Sequence, residues 1–250
     1  MKPGTLYLIP TNLAFPFEPG DILPVQVQKV VSMLDYFIVE HAKTARQFLK
    51  QMGTAKPLQE LGMGELNEHT AARDLEPLLT PILQGRDGGL LSEAGAPAVA
   101  DPGAAIVKLA HQSGIKVVPL IGPSSLLLAL MASGLNGQRF AFHGYLPADK
   151  QARVKAIREL EQESAKRDMT QLFIETPYRN AALLADLVST CLPGTRLCLA
   201  TNLTAPDEQV ISRDISAWQT AKAPDIDRKP TVFLILAETQ RAARAGGAAR

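Results

Sequence analysis

Along the first half of the chain two hydrophobic rhythms take turns. Short apolar runs (TLYLIP from Thr5, DYFIVE from Asp35, GGLLSE from Gly88 and KVVPLI from Lys116) have the length and composition of buried strands. Between and after them PVQVQKVVSML, AKTARQFLKQM and GAAIVKLAHQSG repeat their apolar residues at helical spacing, and SSLLLALMASG reads as a buried helix. Strand and helix in alternation predict a largely parallel sheet with helices on both faces.

After Gly134 the rhythm changes. RFAFHGYL is a strand stopped by Pro147, and KQARVKAIRELEQESAKR is a long charged helix with Asp149 as its N-cap. TQLFIE, the helix RNAALLADLVSTCL, the strands TRLCLATNL and EQVISRDI, a short helix around Trp218 and the strand TVFLIL follow. The pattern predicts an α/β protein of two domains, residues 1–136 with a largely parallel sheet and residues 137–240 with a mixed one. Residues 241–250, RAARAGGAAR, have no apolar face to bury and are expected to be disordered.

Composition narrows the function classes. No apolar run reaches the ~18–20 residues of a membrane span, and Pro10, Thr11 and Asn12 interrupt the first one before a signal-peptide core forms, so a cytoplasmic protein without membrane contact is expected. The 2 cysteines, Cys191 and Cys198, are too few for a structural zinc site and read as reduced core thiols. His41, His69, His111 and His143 show no pair at ligand spacing, so no metal is expected. A formal net charge of +1 gives no global attraction to nucleic acid and leaves room for a local basic surface. In the long helix Lys150, Arg153, Lys155 and Arg158 are followed by Glu159, Glu161 and Glu163, the mixed pattern of a solvated face.

In open α/β sheets ligands bind at the carboxyl ends of strands. Three stretches fall there: IPTNLAF, SEAGAPAVADPG and IGPSS. Gly122 and Pro123 make a tight turn after which Ser124 or Ser125 can cap a helix or meet a ligand. Ala94, Gly95, Ala96 and Ala98 remove side-chain bulk, so a flat ligand can lie against main chain, with Glu93 accepting its hydrogen bonds. Asp101 reads as the cap of the following helix. No GxGxxG follows the first strand and no GxxxxGK[ST] occurs, which disfavours ordinary dinucleotide and P-loop enzymes.

SEAGAPAVADPG and PLIGPSSLLLALMASG, together with FIVEHAKTARQFL, RFAFHGYLP, QLFIETPYR and TVFLIL, resemble the tetrapyrrole methylase superfamily of S-adenosylmethionine-dependent methyltransferases. The likeness is strongest to the branch that methylates ribose 2′-hydroxyls of small-subunit ribosomal RNA, and it runs from Thr5 to about Leu236. It implies two α/β domains with a cofactor cleft between them, usually in a homodimer, with ribosomal RNA or the small ribosomal subunit as partner. Carried over by position, the cofactor contacts are Pro10, Ser92, Glu93, Ala94, Pro97, Ser124 and Ser125, then Glu175, Thr176, Asn202, Leu203, Pro230 and Thr231.

The chemistry implied is in-line attack on a sulfonium methyl, with a base for the proton of a ribose hydroxyl acceptor. Glu40, His69, Asp101 and Tyr178 are candidates for that base, and Arg179 either holds a phosphate or the cofactor carboxylate, or pairs with Glu175. Two segments depart from the branch: Glu40-His41-Ala42-Lys43 stands where it has E-D-T-R, and Thr201-Asn202-Leu203-Thr204-Ala205 where it has R-E-L-T-K. A tetrapyrrole or other small-metabolite acceptor, and a non-catalytic cofactor-binding relative, stay open beside the RNA acceptor.

Overall fold

Strands that are apolar on both faces need cover on both sides, and this requirement shapes the first of two units in the computed structural model, which describes residues 2–67 and 69–238. This unit ends at Ser124. Its elements are β1 (Thr5–Ile9), α1 (Pro19–Ile22), α2 (Val25–Met33), β2 (Tyr36–Val39), α3 (Ala42–Met52), β3 (Gly62–Glu65), α4 (Leu75–Leu83), β4 (Gly88–Leu91), α5 (Gly103–Gln112) and β5 (Lys116–Pro119). The strands form one parallel sheet in the order β3-β2-β4-β1-β5. Alternate residues serve opposite faces. Ile9, Phe37, Val39 and Leu91 pack with Val27 and Val31 of α2 and Phe48 and Leu49 of α3. Leu6, Tyr36, Ile38 and Leu90 pack with Leu79 and Ile82 of α4 and Ile106 and Ala110 of α5.

Two elements here escape the hydrophobic pattern. Strand β3 is Gly-Met-Gly-Glu, with a single apolar side chain, and α4 carries Pro81 inside it, where proline removes a backbone donor.

The second unit begins at Ser125 and holds α6 (Ser125–Ser133), β6 (Phe140–Tyr145), α7 (Lys150–Arg167), β7 (Thr170–Ile174), α8 (Asn180–Thr190), β8 (Arg196–Thr201), β9 (Gln209–Asp214), α9 (Ile215–Thr220) and β10 (Thr231–Leu236). Its sheet has the order β6-β7-β10-β8-β9, with β6 parallel to β7 and the other pairs antiparallel. Phe173, Leu197, Leu199, Phe233 and Ile235 form a core with Ile157 of α7, Leu183 and Leu187 of α8 and Trp218 of α9. Helix α6 lies against β8, β9 and β10. That packing puts the division ahead of α6, not at residue 136 where the change of rhythm suggests it. The expectation for residues 241–250 lies outside the described residues. Both cysteines are free and buried, and burial pushes the thiol of Cys191 up to about 12 and that of Cys198 to about 11. Among the described residues no helix is long and apolar enough to cross a membrane.

One buried ion pair joins α7 to α8. Asp149 caps α7 by accepting from Ala152 N at 2.9 Å, as the sequence predicts. One turn in, Arg153 donates through Nε and Nη2 to Asp186 Oδ2 at 2.8 and 2.6 Å, and through Nη1 to Ala148 O at 2.8 Å. Both side chains are buried, so breaking the pair from one side leaves an uncompensated charge. Asp186→Ala is expected to lower the unfolding free energy by ~3–5 kcal/mol in urea titrations, whereas the double change Arg153→Met with Asp186→Leu stays close to the parent.

Candidate active site

Strands β1 and β4 are neighbours, yet the chain leaves them toward opposite faces, β1 to α2 and β4 to α5. Such a divergence opens a crevice at the carboxyl end of the sheet. Three loops line it and lock together. Thr11 N donates to Gly95 O at 2.9 Å and Gly95 N to Thr11 O at 3.3 Å. Thr11 Oγ1 donates to Ser92 O at 3.3 Å, and Ser92 Oγ to Gly95 O at 3.1 Å. Gly95 has φ +77°, a conformation that costs any other residue strain. The third loop touches the first so closely that a Cβ on Gly122 would lie 2.3 Å from Pro10 Cγ.

The loop after β4 is also held in a costly shape. Ala98 and Ala100 have φ of +64° and +61°, and a left-handed alanine costs ~1–2 kcal/mol. Asp101 offsets part of this: its Oδ1 accepts from Ala98 N at 2.8 Å and from Gly103 N, the first residue of α5, at 2.7 Å. Asp101 is thus the helix brace that its position before Pro-Gly suggests. Burial still pushes its carboxyl above the ordinary aspartate range, against those two bonds.

Of the residues carried over in this unit, Pro10, Ser92 and Pro97 are buried and support the wall, while Ala94 is exposed and Ser124 is half-buried. Ser125, also half-buried, is the first residue of α6. Glu93 presents a side chain 37% exposed, with His41 Nδ1 3.4 Å from its Oε1.

Register explains why a second carboxylate meets it. Val39 pairs with Leu91, so Glu40, next after β2, lies beside the start of the β4 loop. Glu40 is pushed above the usual glutamate range by burial first, then by the charges of Glu93 and Asp101, while His41 and the Glu93 backbone N–H pull the other way. Between Glu40 and Asp101 is a hollow of about 10 Å³, floored by Val39, Leu66, Leu90 and Leu91, roughly the room of one water. His69 is exposed in the turn after β3, its N–H donating to Asn67 Oδ1 at 3.0 Å. The structure therefore brings Glu40, Glu93 and Asp101 together, a grouping that neither FIVE nor LLSE reveals without strand register. Among the described residues no group of three or more His, Cys, Asp or Glu is arranged to hold a metal ion.

In the second unit the carried-over residues gather where β7 and β8 end and β10 begins. Thr231 pairs with Thr201, their hydroxyls 3.2 Å apart, and Asn202 N donates to Pro230 O at 2.9 Å. Asn202 has φ +50°, which asparagine tolerates better than most residues. Thr176 and Asn202 are half-buried and Pro230 is exposed. Glu175, Leu203 and Thr231 are buried instead.

The Glu175 side chain has 0% exposure, and its Oε1 accepts from Thr176 N at 2.7 Å and from Arg179 Nη2 and Nε at 2.7 and 3.0 Å. Of the two readings open for Arg179, the structure shows the pair with Glu175. Tyr178, 68% exposed, belongs to this unit, with the Arg179 guanidinium 5.6 Å from its ring centroid.

Comparison with known proteins adds an independent line. The chain is 33% identical to ribosomal RNA small subunit methyltransferase I of Xylella fastidiosa strain Temecula1 over 237 residues, covering 94% of this chain and 82% of that protein. It is 30% identical to the Vibrio cholerae protein of the same name, covering 94% and 77%, and 28% identical to that of Escherichia coli O157:H7, covering 96% and 79%. Among solved structures the methyltransferase CobJ superposes with a TM-score of 0.62 at 18% identity over 94% of each chain, which shows a shared fold. No protein-family model matches the chain.

The carboxylate cluster has a consequence for stability. Because the folded-state pKa of Glu40 lies above its unfolded value of 4.5, the folded protein binds this proton more tightly than the unfolded chain. The resulting stability is full below that value and is lost as pH rises through the folded pKa. Glu40→Gln removes this loss, so urea midpoints measured between about pH 4 and pH 7 should fall less steeply in the variant, the remaining slope including the same-signed contribution of Asp101.

Proposed function

The chain belongs to the ribosomal RNA small subunit methyltransferase I family, and on that premise we propose that it transfers a methyl group from S-adenosylmethionine to a ribose 2′-hydroxyl of small-subunit ribosomal RNA. The observation that carries the reading is the grouping of Glu40, Glu93 and Asp101 beside a wall of small residues at the β1–β4 crevice. A site with this much negative charge suits a cationic sulfonium donor, and the exposed Ala94 sets no bulk beside the partly exposed carboxylate of Glu93. S-adenosylmethionine, when bound, supplies the electrophilic methyl.

The protein's own residues then divide the work. Glu93 accepts hydrogen bonds from donor groups of the nucleoside, and Ser124 and Ser125 offer hydroxyls from the neighbouring turn. Pro10, Ser92, Pro97 and Asp101 hold the wall in shape. At the second unit's own strand ends Thr176, Asn202 and Pro230 reach the surface, and Glu175, Leu203 and Thr231 are buried behind them. Glu40 receives the proton of the acceptor hydroxyl. It is favoured over His69 and Tyr178 because burial and two facing carboxylates raise its proton affinity. The same reading takes the protein to be a cytoplasmic homodimer, for which light scattering should give the mass of two chains.

Calorimetry with S-adenosylmethionine and S-adenosylhomocysteine tests the donor, and methyl transfer to bare small ribosomal subunits tests the acceptor. Glu93→Ala is expected to weaken cofactor binding by about 10–100-fold, the loss of a charge-assisted hydrogen bond. Glu40→Gln should leave cofactor affinity near the parent value and lower the transfer rate by about 10²-fold or more. Absence of cofactor binding, or transfer only to a small molecule, would overturn the reading.

A further inference from the structure

One helix stands apart from the charge balance of the rest. Helix α3 carries Lys43, Arg46 and Lys50 and no acidic residue. Their spacing of three and four sets them in one row along the helix, about 10 Å long at 1.5 Å per residue. Ala45, Phe48, Leu49 and Met52 are buried on the opposite side, so the row is fixed toward solvent, and all three cations are exposed. None of them pairs with a carboxylate among the described residues. Helix α7 interleaves acids with its cations and pairs several of them: Arg153 with Asp186, Lys155 with Glu159 and Arg167 with Glu163.

Local energetics run against this arrangement. Lys43 is in the first turn, at the positive end of the helix dipole, and the pairs 43/46 and 46/50 set like charges at neighbouring positions, each costing ~0.2–0.5 kcal/mol. A row that weakens its own helix and meets no carboxylate among the described residues is a feature that a polyanionic partner would use. Its place agrees. The row starts three residues after Glu40, next to a carboxylate cluster that repels phosphates, so an RNA strand needs cations at the edge of that cluster to stay close. Gln47 and Gln51, exposed on the same helix, add neutral donors for phosphate and sugar oxygens.

We propose that the exposed face of α3, through Lys43, Arg46 and Lys50, is the surface on which the RNA phosphate backbone lies while a ribose reaches Glu40. The proposal rests on the RNA acceptor named above and adds the surface that holds it.

The test is the triple variant Lys43→Gln, Arg46→Gln, Lys50→Gln, with binding to isolated small-subunit ribosomal RNA followed by fluorescence anisotropy over a series of KCl concentrations. Three lost phosphate contacts should reduce the slope of log affinity against log salt by about 2, at ~0.7 per contact on single strands. S-adenosylhomocysteine affinity should be unchanged, and the thermal midpoint should be equal or higher, because like-charge repulsion is relieved. The α7 variant Lys155→Gln with Arg158→Gln should keep the parent slope. A triple variant with the parent slope, or an equal fall in the α7 variant, overturns the surface. An unaltered protein that binds cofactor but neither binds nor methylates the RNA overturns the acceptor assignment, and this surface with it.

Discussion

Thr11 and Gly95 exchange two backbone hydrogen bonds across the gap where β1 and β4 send the chain to opposite faces of the sheet. The three loops that line the first unit's crevice are placed relative to that pair. The loop after β1 is tied to it through Thr11, the loop after β4 through Gly95 and Ser92, and the loop after β5 presses on Pro10 through Gly122. Loops at a strand end are ordinarily the least rigid part of an α/β unit. Here two glycines and a proline remove the bulk and freedom that would keep them apart, so Glu93 extends from a braced backbone. Asp101 extends the bracing into α5 by holding Ala98 in a conformation it would otherwise avoid.

The bracing carries an electrostatic cost that the proposed chemistry can use. Setting Glu40, Glu93 and Asp101 near one another raises the proton affinity of Glu40, and burial, the largest cause, raises it further. A carboxylate with raised proton affinity is a better proton acceptor, and the field that raises it also favours a cationic donor. The same field disfavours a polyanionic acceptor. A catalytic centre of this sign serving RNA therefore needs its positive charge outside the crevice, and a global net charge of +1 does not provide it. On α3 the positive charge is concentrated on one exposed face directly beyond the cluster.

Sequence rhythm specifies most of this fold because the central strands of both sheets are buried on both faces, which leaves long, regular hydrophobic signals. It fails where the physics is not carried by apolar side chains. Strand β3 holds its place by parallel pairing with β2 while offering only Met63 as an apolar group. In α4 the prolines break the periodicity that Leu79 and Ile82 otherwise supply. At the site, Glu40 and Glu93 are legible as acids at strand ends, but their proximity depends on the pairing of Val39 with Leu91, more than fifty residues along the chain. Arg179 shows the converse. Its spacing from Glu175 already suggests the ion pair, and the enclosed position of Glu175 at the end of β7 decides in favour of it.

The two segments that depart from the related branch gain a structural meaning here. In EHAK, His41 faces the Glu93 carboxylate at 3.4 Å and Ala42 opens α3, so the segment links the acid cluster to the cationic row. In TNLTA, Asn202 and Thr204 take left-handed conformations, with φ of +50° and +69°. Asn202 ties the end of β8 to Pro230 ahead of β10, and its side chain donates to Asp207 Oδ2 at 2.8 Å. Neither segment is idle filler. One sets His41 against Glu93 at the first unit's crevice edge, and the other ties the end of β8 to the start of β10 in the second unit. Because both segments are tied into the local structure, their departures from the branch leave the strand ends of each unit braced.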